Sequence, residues 1–402
     1  MDRGFLKAIT RTLRQVAVGA LLVASATAPA AAASIETIAR EAILIDVGTG
    51  TVLFEKNADE RMPTSSMSKL MTAYMVFERL KQGRMSLDDT LPVSQEAWKQ
   101  QGSKMFVELG NTIKVEDLIR GMIIQSGNDA CVVLAEAISG TEPAFAAAAT
   151  KRAKELGMSN SNFMNASGWP VPDHYSTARD LSTLSIRLMQ DFPEYFHYYS
   201  EKEFTYHGIK QGNRNPLLYR NMGVDGLKTG HTDIAGYGLI ATGERSGRRL
   251  VLVVNGLPNM QARADESARL LEWGWREFDN YTLFKGGETV DQLPVWLGQA
   301  EQVPLQAEKA VKLTMTHEQR AKMKVSVVAN APVAAPIAKG ARLATLTVEA
   351  PDFPTQEIPL LAAADVQKLG FFGRIAAAAG HMLFGPSTPA VVPAAPAAPA
   401  AK

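Results

Sequence analysis

The spacing of apolar and polar residues divides the chain into blocks of different period. In "EAILIDVGTGTVLFEKNAD" (41–59) two β-rich runs flank Gly48-Thr49-Gly50, which predicts a hairpin. A helix is predicted from near Ser65 to about Gln82, with Gly83 as its stop. Helical three-four spacing returns in "VEDLIRGMIIQ", "NDACVVLAEAIS", "EPAFAAAATKRAKELG" and "TARDLSTLSIRLMQDF". Between the last two, "MSNSNFMNASGWPVPDHYS" is dense in turn formers and reads as a long loop. "EKEFTYHGIKQGNRN" reads as a second hairpin, and "YGLIATGERSGRRLVLVVNGL" as a third with Gly247 near its tip. A further helix crosses "ARADESARLLEWGWREF". β segments thus flank a mainly helical middle, the pattern of an α+β domain whose first and last β segments share one sheet.

The texture changes after about residue 281. "VKLTMTH", "KVSVVAN" and "RLATLTVEA" are short strand-like runs broken by Gly and Pro, which predicts a small all-β domain ending near Leu361. "VQKLGFFGRIAAAAGHMLFG" follows, and then a Pro/Ala tract that cannot bury a core and is expected to be disordered. The expected division is a leader at 1–33, an α+β domain at 34–281, an all-β domain at 282–365, an amphipathic helix at 366–385 and a tail at 386–402.

Composition narrows the setting. The chain has 402 residues, 46% of them apolar, enough for two or three domains with real cores. A net charge of +1 offers no basic field for nucleic acid, so no nucleic-acid partner is expected. Arg3, Lys7, Arg11 and Arg14 precede the apolar "VAVGALLVASATA" and the small-residue "APAAAAS", the layout of an export leader cut after Ala33. Its removal takes away three net positive charges and leaves about −2. Export leads to an oxidising compartment, yet Cys131 is the sole cysteine, so no intrachain disulfide can form. Cys131 itself, in an apolar helical run, reads as a small buried hydrophobe.

Candidate chemistry begins at "PTSSMSKLMTAYMVFERL" (63–80). Residues three or four apart share a helix face, so Lys69 lies near both Ser65 and Ser66, and spacing leaves both open; Ser68 points elsewhere. A serine hydroxyl needs a base, and a lysine serves when burial and nearby positive charge lower its proton affinity. Alone, S-x-x-K is a weak signal. Two later motifs strengthen it: Ser126-Gly127-Asn128 at a loop-to-helix junction, and Lys228-Thr229-Gly230 in "VDGLKTGHTD". S-x-x-K, S-D-N and K-T-G together form the signature of penicillin-binding proteins and class A β-lactamases, and this chain carries them in that order with Gly127 where S-D-N has Asp. The six histidines show no zinc-binding spacing, and neither a metal nor a cofactor is expected. "STARD", with Arg179 and Asp180, reads as a helix start with a local ion pair.

On these motifs the chain resembles the low-molecular-mass penicillin-binding proteins, serine-type D-alanyl-D-alanine carboxypeptidases of the peptidase S11 type. "LIRGMIIQSGNDACVVLAE" and "VDGLKTGHTDIAGYGLIATG" carry the resemblance most specifically. It implies a penicillin-binding-protein/β-lactamase-like transpeptidase fold with a helical subdomain, followed by the small all-β domain. It implies Ser66 as the nucleophile, which leaves Ser65 as a helix N-cap. By the same resemblance Lys69 is the base and Ser126 relays a proton to the leaving D-alanine. Lys228 keeps that network electropositive, and Asn128 orients the substrate amide or Lys69. Thr229, Gly230 and His231 begin a strand that pairs with the acyl peptide, and the amides of Ser66 and His231 hold the oxyanion. Arg214 and Arg263 are pointed to as grips for a terminal carboxylate, against a reading of each as a structural salt bridge.

The expected substrate is a peptidoglycan stem peptide ending in D-Ala-D-Ala, with β-lactams as covalent inhibitors. The expected location is the periplasm, peripherally anchored to the outer face of the inner membrane. In "FFGRIAAAAGHMLF" (371–384), Phe371, Phe372, Ile375, Ala379, Met382 and Leu383 share one face of a helix too short to span a bilayer of ~30 Å. The rivals are a class A-like β-lactamase, a DD-endopeptidase and a catalytically silent peptidoglycan-binding protein. A class A enzyme uses a glutamate to activate water, and no glutamate lies between Leu156 and Pro193.

Overall fold

The computed structural model describes residues 35–375. The expected leader and tail, and the second half of the amphipathic helix expected at 366–385, lie outside the described residues; in its first half Val366 and Lys368 form β-bridges with Ile337 and Gly298, and helix begins only at Phe371.

The first strands, β1 (Glu41–Asp46) and β2 (Val52–Lys56), form an antiparallel hairpin. A single 3₁₀ turn, Ser65–Ser68, leads into α1 (Lys69–Lys81), and Gly83 follows at φ +66°. The small ribbon β3 (Thr90–Pro92) and β4 (Thr112–Lys114) encloses the short helix α2 (Gln95–Trp98). Then come α3 (Val115–Ile123), α4 (Asn128–Ser139) and α5 (Glu142–Glu155). After a long loop stands α6 (Ala178–Asp191), with Thr177 capping its N-terminus by accepting from Asp180 N. A hairpin of β5 (Glu203–Tyr206) and β6 (Ile209–Gly212) precedes β7 (Val224–Thr232), β8 (Gly236–Arg245) and β9 (Arg248–Leu257). Helix α7 (Met260–Glu277) closes this part.

The five-stranded sheet runs β2-β1-β9-β8-β7, so the first hairpin pairs with the last strands, as the α+β pattern predicts. Every residue of β1 is buried, because the strand is internal to the sheet and helices cover it. This explains why "EAILID" runs apolar instead of alternating. The main core joins α1, α3, α4, α5 and α6 to Ile43, Ile240 and Val253 of the sheet. Helix α1 is central to it: every residue from Lys69 to Phe77 is buried.

From Phe278 the chain is almost all strand: β10 (Phe278–Phe284), β11 (Thr289–Trp296), β12 (Gln302–Ala307) and β13 (Val311–Thr316), then the one-turn helix α8 (His317–Lys322), then β14 (Lys324–Ala329), β15 (Val333–Ala334), β16 (Arg342–Ala350) and β17 (Phe353–Ala362). Its larger sheet is ordered β14-β16-β17-β12-β11-β15 around Val303, Leu305, Leu346, Val348 and Leu360. Pro294, Pro304, Pro354 and Pro359 sit inside three of these strands, and the strand pattern is weakest there.

A buried polar knot joins the two sheet regions. Asp46 Oδ2 accepts from Arg248 Nε at 2.7 Å, and Asp46 Oδ1 accepts from Asn280 Nδ2 at 3.2 Å. Arg248 also donates to the carbonyls of Phe278 and Gly274. Asp46 is fully buried, so these partners replace the water that its charge would otherwise need.

Two local expectations change. Ser65 is not an N-cap: it adopts φ +49° inside the 3₁₀ turn, and its hydroxyl donates to Thr232 Oγ1 at 3.1 Å instead. Arg179 makes no pair with Asp180; it reaches Glu55 and Asp59, while Asp180 accepts from Asn160 N and Ser161 Oγ.

Candidate active site

The 3₁₀ turn presents Ser66 to a cleft of about 360 Å³. Gly102, Ser103, Asn128, Ser167, Trp169, His231 and Thr232 also line it. One helical turn on, Lys69 is buried, and its Nζ donates to Ser66 Oγ at 2.8 Å, Asn128 Oδ1 at 2.7 Å and the Ser167 carbonyl at 2.7 Å. Three acceptors match the three protons of an ammonium. Burial pulls the amine down to about 8, with the charge of Arg214 acting in the same direction. A lysine in that range is neutral often enough near neutral pH to accept a proton from a serine hydroxyl.

Helix α4 begins at Asn128 with no side-chain cap. The Asn128 side chain is occupied elsewhere: its Oδ1 takes Lys69, and its Nδ2 donates to the Gln101 carbonyl at 2.6 Å. Just before it, Ser126 holds φ +60°, a conformation that costs a non-glycine residue energy and recurs at functional sites. Its hydroxyl is buried and has no hydrogen-bond partner among the described residues. Buried Asp129 accepts from the amides of Met105, Phe106 and Val107 and so fixes the neighbouring loop.

Strand β7 closes the opposite side. Lys228 and Thr229 are buried on it, Gly230 is buried, and His231 is exposed with its ring 3.9 Å from that of Tyr237. A Cβ at Gly230 would stand 2.8 Å from the Thr64 carbonyl and 3.1 Å from Met67 Cγ, so glycine is what lets β7 lie against the Ser65–Ser68 turn. Burial, and then the charges of Lys69 and Arg214, hold Lys228 well below the ordinary lysine range.

Arg214 donates to Ser103 Oγ on the rim of the cleft. Arg263 is buried; its guanidinium carbon lies 5.7 Å from the Tyr237 ring centre, and its Nε has no partner among the described residues. No ion pair is formed by either arginine among the described residues, which removes the salt-bridge reading. Neither is among the residues lining the cleft around Ser66; Arg214 reaches its rim through Ser103, and Arg263 donates to the Arg214 carbonyl at 3.5 Å.

The loop at 158–176 supplies what motif reading missed. The Ser167 carbonyl is a direct partner of Lys69, and Trp169 lines the cleft. Turn-forming residues marked this stretch as a loop, but nothing in their order marked which carbonyl would face the lysine. Ser68 also gains a role. His174 Nδ1 accepts from Met164 N at 3.2 Å, so Nε2 carries the proton and donates to Ser68 Oγ at 2.7 Å. Ser68 in turn lies beside Thr64 Oγ1. Burial pushes His174 down to about 4, so it ties the loop to the Ser65–Ser68 turn as a neutral ring. No group of three or more His, Cys, Asp or Glu suited to a metal occurs among the described residues.

Residues 25–259 match the family model described as D-alanyl-D-alanine carboxypeptidase, and residues 278–368 match the C-terminal domain of penicillin-binding protein 5. The chain is 38% identical to the D-alanyl-D-alanine carboxypeptidase DacC of Escherichia coli (strain K12), over 87% of this chain and 90% of that one. It is similar to the crystal structures of penicillin binding protein 5 from Haemophilus influenzae, with a TM-score of 0.74 and 35% identity, covering 83% of this chain and 99% of that one. It is also similar to penicillin-binding protein D2 from Listeria monocytogenes in its ampicillin-bound form, with a TM-score of 0.56 and 34% identity, covering 60% of this chain and 99% of that one.

Proposed function

The chain belongs to the D-alanyl-D-alanine carboxypeptidases of the peptidase S11 family, hydrolases of the bacterial cell wall, and from that premise we propose how its own residues perform the reaction. Ser66 is the nucleophile and Lys69 its base. The observation that carries this assignment is the 2.8 Å contact between Lys69 Nζ and Ser66 Oγ, made by an amine that burial holds near 8.

The substrate is a stem peptide ending in D-Ala-D-Ala. Its acyl chain lies along β7, and its terminal carboxylate meets Lys228, Thr229, Arg214 and Arg263. Neutral Lys69 takes the Ser66 proton as Oγ attacks the penultimate carbonyl. The amides of Ser66 and His231 receive the oxyanion. The C–N bond then breaks, and Ser126, kept in an electropositive setting by Lys228, relays to the departing D-alanine nitrogen the proton that Lys69 took from Ser66, so Lys69 is neutral again. Lys69 then takes a proton from the water that attacks the acyl carbon and returns it to Ser66 Oγ as the acyl C–O bond breaks. A β-lactam follows the first half of this path, its ring amide taking the place of the peptide bond. Ampicillin in the Listeria relative supports this reading.

The β-lactamase reading needs a carboxylate base for the second half. The loop at 158–176 contains none that is a glutamate, and the nearby Glu142 is engaged behind it, accepting from Ala166 N at 3.0 Å. The bound β-lactam should therefore leave slowly.

We place the enzyme in the periplasm, exported by its N-terminal leader and held on the outer face of the inner membrane by its C-terminal amphipathic stretch. Exposed Phe371, Phe372 and Ile375 at the start of that stretch support the anchor. No single helix among the described residues is long and apolar enough to cross a membrane.

The test is a pair of variants assayed for D-alanine release and for labelling by a fluorescent penicillin. Ser66→Ala should lose both, with activity down by ~10⁶-fold, and Ser65→Ala should keep both. A labelled Ser66→Ala protein would refute the assignment.

A further inference from the structure

Asn165 lies in the loop behind the cleft and makes an unusual set of contacts. Its Oδ1 accepts from Gly168 N at 2.8 Å, Trp169 N at 3.0 Å and Ser167 N at 3.2 Å, with Ser167 Oγ at 3.4 Å. Its Nδ2 donates to the Trp169 carbonyl at 2.9 Å. One side chain thus winds residues 165–169 into a closed turn, an Asx-type motif extended over three successive amides.

The turn is pinned from outside as well. Thr72 Oγ1 donates to the Ala166 carbonyl at 2.7 Å, and Ala166 N donates to Glu142. Gly168, at φ +81°, runs so close to the nucleophile's turn that a Cβ would stand 1.8 Å from the Ser65 carbonyl oxygen. The product of this construction is one buried acceptor at a fixed place: the Ser167 carbonyl, 2.7 Å from Lys69 Nζ.

We propose that Asn165 is a positioning residue for the acylation base. It holds the Ser167 carbonyl on Lys69, and through that carbonyl it sets both the aim of Nζ at Ser66 and the pH at which Lys69 becomes able to take a proton. This rests on the reading of Lys69 as the base.

A carbonyl dipole directed at an amine favours its ammonium form. Removing it lowers the pH at which the amine becomes neutral. It also releases Nζ from one of three fixed contacts, so fewer encounters have the geometry that proton transfer needs. The surrounding charges act on Lys69 as well, but none of them bonds Nζ, so none fixes its aim. From α4, Asp129 raises the proton affinity of Lys69; from α5, Glu142 does the same; Arg214 lowers it. Lys228 on β7 and His174 in the loop are themselves shifted down by Lys69. Cys131 is pushed up to about 12 and His174 down to about 4, so both stay neutral between those limits.

The experiment compares Asn165→Thr with Asn165→Val in the full chain. The two side chains match in shape, and only threonine offers an oxygen to the turn amides. The rate of acylation by a fluorescent penicillin is followed from pH 6 to pH 10, with thermal melting as a check of folding. The valine protein should acylate at least ~10-fold more slowly at its plateau, with the midpoint of its pH profile lower by roughly one unit. The threonine protein should keep the parent midpoint and most of the rate. If the valine protein does not fold, Asn165→Ala replaces it with the same expectation. An unchanged midpoint in a folded valine or alanine protein overturns the proposal, as does a threonine protein no better than the valine one. Lys69→Arg is run alongside. Normal labelling of that protein sinks the base assignment itself, whereas an inert Lys69→Arg with an unshifted Asn165→Val sinks the positioning role alone.

Discussion

Lys228 is buried beside Lys69, and the charge of Lys69 opposes a second charge there. Neither amine has a carboxylate partner among the described residues; the neighbouring Asp129 is already committed to three backbone amides. A cleft built this way lacks one negative charge. On the proposed function, a substrate carboxylate would supply it, and its binding would favour a proton on Lys228.

Acylation should rise with pH through about 8, because the competent form of Lys69 is the deprotonated one and burial places its transition there. Below that point the rate should fall about tenfold per unit. Lys69→Arg should be inert at every pH, since a guanidinium stays charged up to about pH 12 and cannot serve as the base. Penicillin-labelling rates across pH provide the measurement.

Arg214→Gln and Arg263→Gln should each raise KM for a D-Ala-D-Ala peptide roughly 10- to 100-fold, the range of a lost charge-assisted hydrogen bond. A peptide ending in a carboxamide should be a poor substrate for the parent enzyme and lose little more in the variants. An equal loss for both peptides would remove carboxylate binding from these side chains.

His174 links stability to pH. Its folded value is near 4 against an ordinary 6.5, so the unfolded chain binds the extra proton between those limits. Stability from this residue is fully present above about 6.5 and is lost as pH falls towards 4, by at most roughly 3 kcal/mol. His174→Gln should flatten the fall in melting temperature over that window. An unaltered slope would show that another group dominates.

A chain ending at Lys368 should keep carboxypeptidase activity and lose membrane binding. The removed stretch carries little positive charge, so the parent should resist salt washing and yield to detergent. Cell fractionation compares the two forms, and equal membrane association would eliminate the anchor.

The meeting of Ser66, Lys69 and Asn128 was legible because motifs carry them on helix starts, where spacing translates into geometry. The five-stranded sheet was legible from β1 and β9, whose apolar runs announce burial on both faces. Ser65 was misread because its left-handed backbone and its bond to Thr232 arise from a strand that lies 167 residues away. The Ser167 carbonyl was invisible for a related reason: every residue has one, and only the winding of the loop around Asn165 selects which faces Lys69. The partners of Arg179, on β2 and the loop after it, likewise come from chain folding that no local pattern records.

The knot around Asp46 is a weld between the two sheet regions. Swinging the β-rich region away would strip Asn280 from a fully buried carboxylate and the Phe278 carbonyl from the arginine that neutralises it. Breaking into such a buried charge cluster typically costs 3–5 kcal/mol, more than thermal agitation supplies. The cleft should therefore keep one heading relative to the β-rich region, so the two move as a single rigid blade.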